Sequence, residues 1–558
     1  MSLNPETTSK EEEQTHSSFN EGYRTSPDQE TKDWPPGIPF IVGNEACERF
    51  SFYGMKALLY LHLTSLYILS GAIDDTAKNL ATSTTHLFNA SVYALPMIGA
   101  IIADRLVGKY RTIFYLSLVY CAGHAVLALA EDTLLGMYIG LGLIAVGSGG
   151  IKPCVAANVG DQFGKGNWFR VRTVFQIFYF SVNFGSFFST ISIPLIRDQY
   201  GPSVAFAVPG VLMFMATMIF WIGRREFVHI PPKPGGKIGL LDTLSSASLF
   251  LAVGHLFFTS HYDVWVKLAA SIFFLALGLL LFSVRQRLAP DDGFLAISLY
   301  ALKSFFSRAG NVTAGDTFSD SQQSALASSR FWGKAVQRFG QEATEGPVAV
   351  FKIISVFFLV SVFWALFDQH ASSWIRQAEM MNLRLWGEQK VLSNQIQSLN
   401  PLLVMILIPV MNIFYSFLDN NGIKTTPLRR ITVGMFIASL SFVVVALLQN
   451  WIDAEGKGKV WFAWQFFPFL LITVAEVMVS ITGLEFAYTQ APRRMKSTIM
   501  SFWNLTVALG NVLIAFLASF QGLPLADFFW VFAGLMAGAG LIFGIRSYFY
   551  VPKDYTQL

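Results

Sequence analysis

The sequence predicts an all-α polytopic membrane protein, and three observations lead there. Hydrophobic residues make up 53% of the 558-residue chain and charged residues only 14%, against about 25% charged in a soluble globular domain. Apolar runs recur along almost the whole chain, each near the roughly 20 residues that carry a helix across a bilayer. Lys and Arg gather in alternate loops, as happens when one side of the membrane is cytosolic. The same composition excludes a soluble enzyme, a coiled coil, a disordered chain or a nucleic-acid binder as the main reading. Its 52 Phe and 44 Gly fit helices that face lipid with bulky rings and meet one another at small residues.

Taken in order, residues 1–35 are polar and acid-rich. They have no apolar stretch of the signal-peptide kind and are expected to form a disordered cytosolic tail. Candidate spans follow near 39–61, 86–103, 111–130, 134–155, 173–195 and 203–222. Two more lie near 240–259 and 264–284, the first diluted by Asp242, Thr243, Ser245 and Ser246. The last six lie near 350–370, 396–417, 429–450, 462–488, 497–519 and 525–547, making fourteen transmembrane helices.

With a cytosolic N-terminus, the inner loops hold clusters such as Arg105, Lys109 and Arg111; Lys165 and Arg170; Arg224 and Arg225; Arg429 and Arg430. Both termini are then cytosolic. Removing one helix of the pair at 240–284 would invert the second half and spoil the bias. The expected organisation is a six-helix bundle at 36–223, a linker with two inserted helices at 224–349, a second six-helix bundle at 350–550 and a tail at 551–558. The linker includes a polar stretch with Ser319, Ser321, Gln322, Gln323, Ser324, Ser328 and Ser329. Two such halves suit a transporter that rocks about a central cavity.

Ionisable groups inside a membrane are costly and normally face a cavity or a partner. Glu45, Glu48 and Arg49 sit three and four positions apart in the first span, so a helix puts them on one face. Two carboxylates beside one guanidinium can share charge and protons. Lys152, after Gly147, Gly149 and Gly150, either pairs with Glu45 or Glu48, takes a substrate carboxylate, or snorkels to the rim. Glu476 lies deep in its span and reads as the counter-charge for a cation or amine, with a structural hydrogen bond as the bland alternative. Asp368, near the outer end of its span, is either a gate residue or an end cap. His86 opens the second span and is by itself a weak sign of proton handling.

Asn183 and Asn400 are lone amides in apolar helices, able to bond a peptide-like backbone or to tie helices together. Pro96, Pro194, Pro401, Pro409 and Pro468 fit bending gate helices. In the loop after the second span, Asp104 and Arg105 read as a conformational latch. Three cysteines (Cys47, Cys121, Cys154) have no metal or disulfide spacing. No phosphate-binding loop or hydrolytic constellation occurs. The chain is therefore expected not to be an enzyme and to need no cofactor or metal.

At this point the residues resemble a known family. The double-half plan and the loop from Gly99 to Arg111 resemble the major facilitator superfamily. The narrower resemblance is to the proton-dependent oligopeptide transporter family. It rests on Glu45, Glu48, Arg49, Phe50, Phe52 and Tyr53; on Phe178, Asn183, Gly185 and Ser186; and on Gly483, Glu485, Tyr488, Pro492 and Lys496. It covers about residues 36–550, and the helical pair looks like an insertion common in prokaryotic members.

The resemblance implies a proton-coupled symporter of di- and tripeptides working by alternating access. It assigns proton coupling to Glu45, Glu48, Arg49, His86 and Asp368, with Lys152 as salt-bridge partner. It implies substrate contacts from Arg49, Tyr53, Tyr93, Lys152, Asn183, Trp364, Asn400, Glu476, Ser480 and Trp503. Arg49 and Lys152 would hold the peptide carboxylate, and Glu476 its amino terminus. The implied partners are peptides, protons as coupling ion and the lipid bilayer, with no nucleic acid and no obligatory protein partner. The implied location is a cell membrane, the bacterial inner membrane in particular.

Two departures from the family pattern stand out. Phe52 replaces a tyrosine, which removes one hydroxyl facing the substrate, and Cys154 stands where the family often has Asn. The main rival reading keeps the fold and changes the cargo to nitrate, an amino acid or a peptide-like metabolite. A receptor without transport and a membrane enzyme are weaker rivals, since neither a signalling domain nor a convergent catalytic set occurs in the sequence.

Overall fold

The computed structural model describes residues 23–257, 263–306, 326–490, 492, 495–519 and 523–551. The first group of helices comprises α1 (Ile38–Leu69), α2 (Asp74–Val107), α3 (Lys109–Leu129), α4 (Leu134–Asp161), α5 (Val171–Tyr200) and α6 (Pro202–Ile222). After them come α7 (Gly236–Gly254), α8 (Val264–Leu288) and the short α9 (Phe294–Phe306) and α10 (Gly333–Phe339). The second group comprises α11 (Gln341–Phe367), the short α12 (Ser373–Ala378), α13 (Leu399–Asn420), α14 (Pro427–Glu455), α15 (Phe462–Ala487), α16 (Lys496–Ala518) and α17 (Leu525–Tyr548).

Helix starts follow local chemistry. Pro202 and Pro427 open α6 and α14, where the missing N–H costs nothing. The Thr133 and Asp263 side chains accept from the first turns of α4 and α8, at 3.1 Å and 2.8 Å.

Among the described residues, thirteen helical segments are long and apolar enough to cross a membrane. The sequence leads to fourteen, and the one that falls short is α1. With 32 residues it is about 48 Å long, but Glu45, Glu48, Arg49, Lys56 and His62 lower its hydropathy. All five are buried, so the polar groups of α1 face protein rather than lipid. The second span starts at Asp74, well before residue 86, so His86 lies inside α2 rather than at its opening. The kink expected at Pro96 is present: α2 breaks at Leu95, resumes at Pro96 and ends in a π turn, Ala103–Val107.

Two hydrophobic cores organise the bundle. Ile41, Leu59, Ile113, Ile144 and Phe206 belong to the core of α1–α6. Val360, Phe363, Met435, Phe442, Ile472 and Phe529 belong to the core of the second group. Tyr93 packs against both. Glycine sets one critical crossing: a Cβ on Gly99 of α2 would meet Gly150 Cα of α4 at 2.5 Å, so these backbones touch as only glycines allow. The one sheet among the described residues is an antiparallel hairpin, Arg384–Trp386 with Gln389–Lys390, and it leaves the architecture helical.

Residues 23–35, which the sequence assigns to a disordered tail, are docked. Gly166 N–H donates to Gln29 O at 2.9 Å, His229 N–H to Arg24 O at 2.7 Å, Asn167 Nδ2 to Asp33 O at 3.0 Å and Arg170 Nε to Lys32 O at 2.8 Å. Backbone groups carry most of this docking, so polar composition does not reveal it. Residues 1–22 and 552–558 lie outside the described residues, as does the linker from 307 to 325 with Ser319, Ser321, Gln322, Gln323 and Ser324.

The inserted pair packs α7 against α8, with Gly278 set on Leu249. Helix α7 reaches the bundle, where Gly239 abuts the Arg105 carbonyl. The polar start of α7 is thereby explained. Asp242 receives Arg285 Nε at 2.6 Å and Arg105 Nη1 at 3.6 Å, and the Thr243 and Ser245 hydroxyls bond carbonyls of their own helix.

Candidate functional site

Helical spacing on α1 brings the first cluster together. Arg49 Nε lies 2.9 Å from Glu45 Oε1 and 2.5 Å from Glu48 Oε2. Ser148 of α4 donates to Glu48 Oε1 at 3.4 Å. All four residues are buried, so one guanidinium balances two carboxylates out of water.

Lys152 departs from the expected pairing. Among the described residues its Nζ has no hydrogen-bond or ion-pair partner and is buried. It rests 4.6 Å from the Phe52 ring centroid and 4.0 Å from that of Tyr93. Arg49 already occupies both carboxylates, and the aromatic faces hold the leftover cation. Phe52, fully buried and stacked on Phe88, thus keeps a role that needs no hydroxyl. A buried ammonium without a hydrogen-bond acceptor is a ready place for an anion.

The second cluster stands on the other group of helices. Glu476 ends the first segment of α15, immediately before a π turn, Val477–Ile481, that includes Ser480. Such single π turns interrupt regular helix and are frequent at functional sites. Asn400 Nδ2 donates to Glu476 Oε2 at 2.7 Å and contacts Thr473 Oγ1 at 3.2 Å. Asn400 is therefore engaged in orienting Glu476. Asn183 donates to Tyr179 O of its own helix at 3.0 Å. Tyr53 and Tyr93 lie within electrostatic reach of both Arg49 and Glu476.

Trp364 and Trp503 meet edge to face at 6.2 Å. Trp503 also closes on Gly483, where a Cβ would overlap its ring, and Trp364 Nε1 has no partner among the described residues.

A third cluster joins the two groups of helices. Lys56 Nζ lies 3.3 Å from Asp368 Oδ1. Asn511 Nδ2 donates to Asp368 Oδ2 at 2.6 Å, His86 Nδ1 meets Asn511 Oδ1 at 2.7 Å, and His86 Nε2 meets Ser372 Oγ at 2.7 Å. The sequence reading named His86 and Asp368 but missed Lys56, Ser372 and Asn511. For Lys56 the signal was present: it lies eleven residues after Glu45, three turns along the same face. For Ser372 no sequence signal exists.

The latch differs from its expectation. Arg105 pairs with Asp242, and Lys109 Nζ with Asp161 Oδ2 at 2.6 Å. The Asp104 carboxylate has no ion pair among the described residues; its backbone carbonyl instead accepts from Lys233 N–H at 2.9 Å. The two described salt bridges that cross between the helix groups, Lys56–Asp368 and Arg376–Asp75, both lie toward the end where α1 finishes. At that end Asn394 Nδ2 also donates to Ala57 O at 2.9 Å, and Gln395 Nε2 to Ile191 O at 2.9 Å.

Comparison with known proteins gives concordant results. The sequence profile of the POT family matches residues 110–525. The chain is 26% identical to human solute carrier family 15 member 2, over 93% of this chain and 90% of that protein. It is 33% identical to peptide transporter family 1 of Drosophila melanogaster, over 75% of this chain and 48% of that protein. Among solved structures, an auto-inhibited POT family peptide transporter superposes with a TM-score of 0.75 at 34% identity, covering 94% of this chain and 98% of the other. The POT family transporter PepTSo gives 0.73 at 35% identity, covering 92% and 98%.

Proposed function

The chain belongs to the POT family, and on that premise we propose that it is a proton-coupled symporter importing di- and tripeptides by alternating access. It is a multi-pass membrane protein and a transporter, not an enzyme. The inserted pair α7–α8 resembles an insertion common in prokaryotic members, which supports the bacterial inner membrane as its location.

One observation carries the substrate reading: the lone cation of Lys152 on its aromatic platform and the Asn400-held carboxylate of Glu476, with Tyr53 and Tyr93 within electrostatic reach of both Arg49 and Glu476. A zwitterion with a carboxylate at one end and an ammonium at the other matches that polarity. Arg49 and Lys152 take the peptide carboxylate, and Glu476 its amino group. Asn400 and Asn183 line the peptide backbone, and Trp364, Trp503 and Ser480 shape the side-chain pockets.

Protonation of Glu45 or Glu48 frees Arg49 for the peptide and makes closure around a neutralised site cheaper. Residues 36–223 and 350–550 act as rocking halves, with Lys56, His86 and Asp368 closing the outer side. Arg105, with Asp104 beside it, latches the inner end. The proton gradient and membrane potential drive the cycle.

The test is accumulation of labelled dialanine in proteoliposomes under an inward acid gradient, with and without a protonophore. Protonophore-sensitive accumulation is expected. Its absence in tight, correctly loaded vesicles overturns the peptide assignment and favours a cargo such as nitrate, an amino acid or a peptide-like metabolite.

A further inference from the structure

The cluster that joins the two helix groups has a determinate hydrogen-bond direction, and Asn511 sets it. This amide makes three contacts: Nδ2 to Asp368 Oδ2 at 2.6 Å, Nδ2 to Val507 O at 3.0 Å, and Oδ1 to His86 Nδ1 at 2.7 Å. Asp368 and the Val507 carbonyl are acceptors only. Both amide hydrogens are thus committed, and a flipped amide would set its oxygen against two acceptors. Oδ1 can only accept, so the hydrogen on the His86 ring lies on Nδ1. Nε2 then carries the lone pair and receives the Ser372 hydroxyl at 2.7 Å. The chain of hydrogen bonds runs from the donor Ser372 through His86 and Asn511 to the acceptor Asp368, and every residue in it is buried.

We propose that Asn511 is a positioning residue for proton uptake: it holds His86 in the Nδ1–H form, so that Nε2, facing Ser372, is the atom that takes the proton. This rests on the symporter reading above and adds to it a residue, a tautomer and an atom. When Nε2 gains a proton, the Ser372 hydroxyl turns from donor to acceptor and no heavy atom has to move. The imidazolium then donates to Asn511 Oδ1 and Ser372 Oγ together. The charged and titratable groups around the ring are Lys56 from α1, and Asp368 and His370 from the turn that follows α11. Lys56 and His370 oppose the added charge and Asp368 favours it. By orienting the ring toward that carboxylate, Asn511 lets Asp368 act on His86 through one amide.

Two measurements test this. The first is the 15N spectrum of histidine-labelled protein in lipid, with the His86 signals assigned by their loss in His86→Gln. The Nδ1–H tautomer is expected at neutral pH; an Nε2–H tautomer overturns the proposal.

The second is the pH midpoint of gradient-driven dialanine uptake in two variants. Asn511→Leu takes the acceptor from an imidazolium that needs it, so the midpoint moves to lower pH. Asn511→Asp still accepts from Nδ1–H but faces the Asp368 carboxylate, so the two acids share a proton and the midpoint moves to higher pH. Each shift is expected to be about one pH unit, the size of one charge-assisted hydrogen bond. A packing role alone lowers uptake in both variants without moving the midpoint, and that result overturns the proposal. If one variant fails to fold, the other and the spectrum still decide it. Failure of the wild type to accumulate dialanine would strike the symporter reading instead, and the tautomer measurement would remain decisive for Asn511.

Discussion

Lys56 Nζ and Asp368 Oδ1 lie 3.3 Å apart across 312 residues of sequence, both buried. This ion pair ties α1 to the turn after α11, and so one helix group to the other. Removing one member of a buried pair leaves an uncompensated charge and costs about 3–5 kcal/mol. Lys56→Ala and Asp368→Ala are each expected to lower thermal stability and to open this end of the bundle. Spin labels at Ile73 and Glu388, on a cysteine-free background, should report a longer distance in either variant. The double variant should be milder than the sum of the singles. An unchanged distance in both singles would show that the pair does not hold this end closed.

Glu48 shares Arg49 with Glu45, so Glu48→Gln keeps the shape and loses the titrating group. Gradient-driven dialanine uptake should fall by about tenfold or more, equivalent to at least about 1.4 kcal/mol. Peptide counterflow, which moves no net proton, should persist. Full driven uptake in Glu48→Gln would remove this residue from coupling.

Glu476 is held by Asn400 at 2.7 Å. If it receives an ammonium, Glu476→Gln forfeits a charge-assisted hydrogen bond of about 1.5–3 kcal/mol, roughly a ten- to hundredfold rise in apparent KM for dialanine. N-acetyl-dialanine, which lacks the amine, should compete equally well with either protein. Equal loss for both ligands would point to a packing role for the residue.

Gly483 lies where any Cβ would enter the Trp503 ring. Gly483→Ala should cost about 1–3 kcal/mol through overpacking and displace Trp503 from Trp364. Lower thermal stability and altered preference among dipeptides of different side-chain size are both expected. A variant with unchanged selectivity would detach the tryptophan pair from side-chain recognition.

The sequence makes one part of the site legible and hides another, and the reason is geometric. Glu45, Glu48 and Arg49 sit on one helix, where spacing alone implies contact. The surroundings of Lys152 depend on how α4 crosses α1 and α2. Spacing along α4 says only that a cation is present, not that rings rather than carboxylates meet it. Lys56 could have been read by extending the periodicity of α1 by two more turns. Asn511 carries the same lone-amide signal as Asn183 and Asn400, but its contacts with His86 and Asp368 emerge only after distant helices are brought together. The fold itself was readable because hydrophobic length and charge bias are local quantities. The docking of residues 23–35 was not, because backbone groups make most of its bonds and no side-chain pattern advertises them.

The inserted pair has a mechanical consequence. Helix α8 leaves most of its surface uncovered by protein and leans on α7, which is fastened to α2 beside Arg105 through Asp242. It is an outrigger with α7 as its strut. On the alternating-access proposal, a rotation of α2 would carry this paddle sideways through the acyl chains, and the bilayer would resist it. A stiffer membrane then acts as a brake at the edge of the molecule, far from the bound substrate.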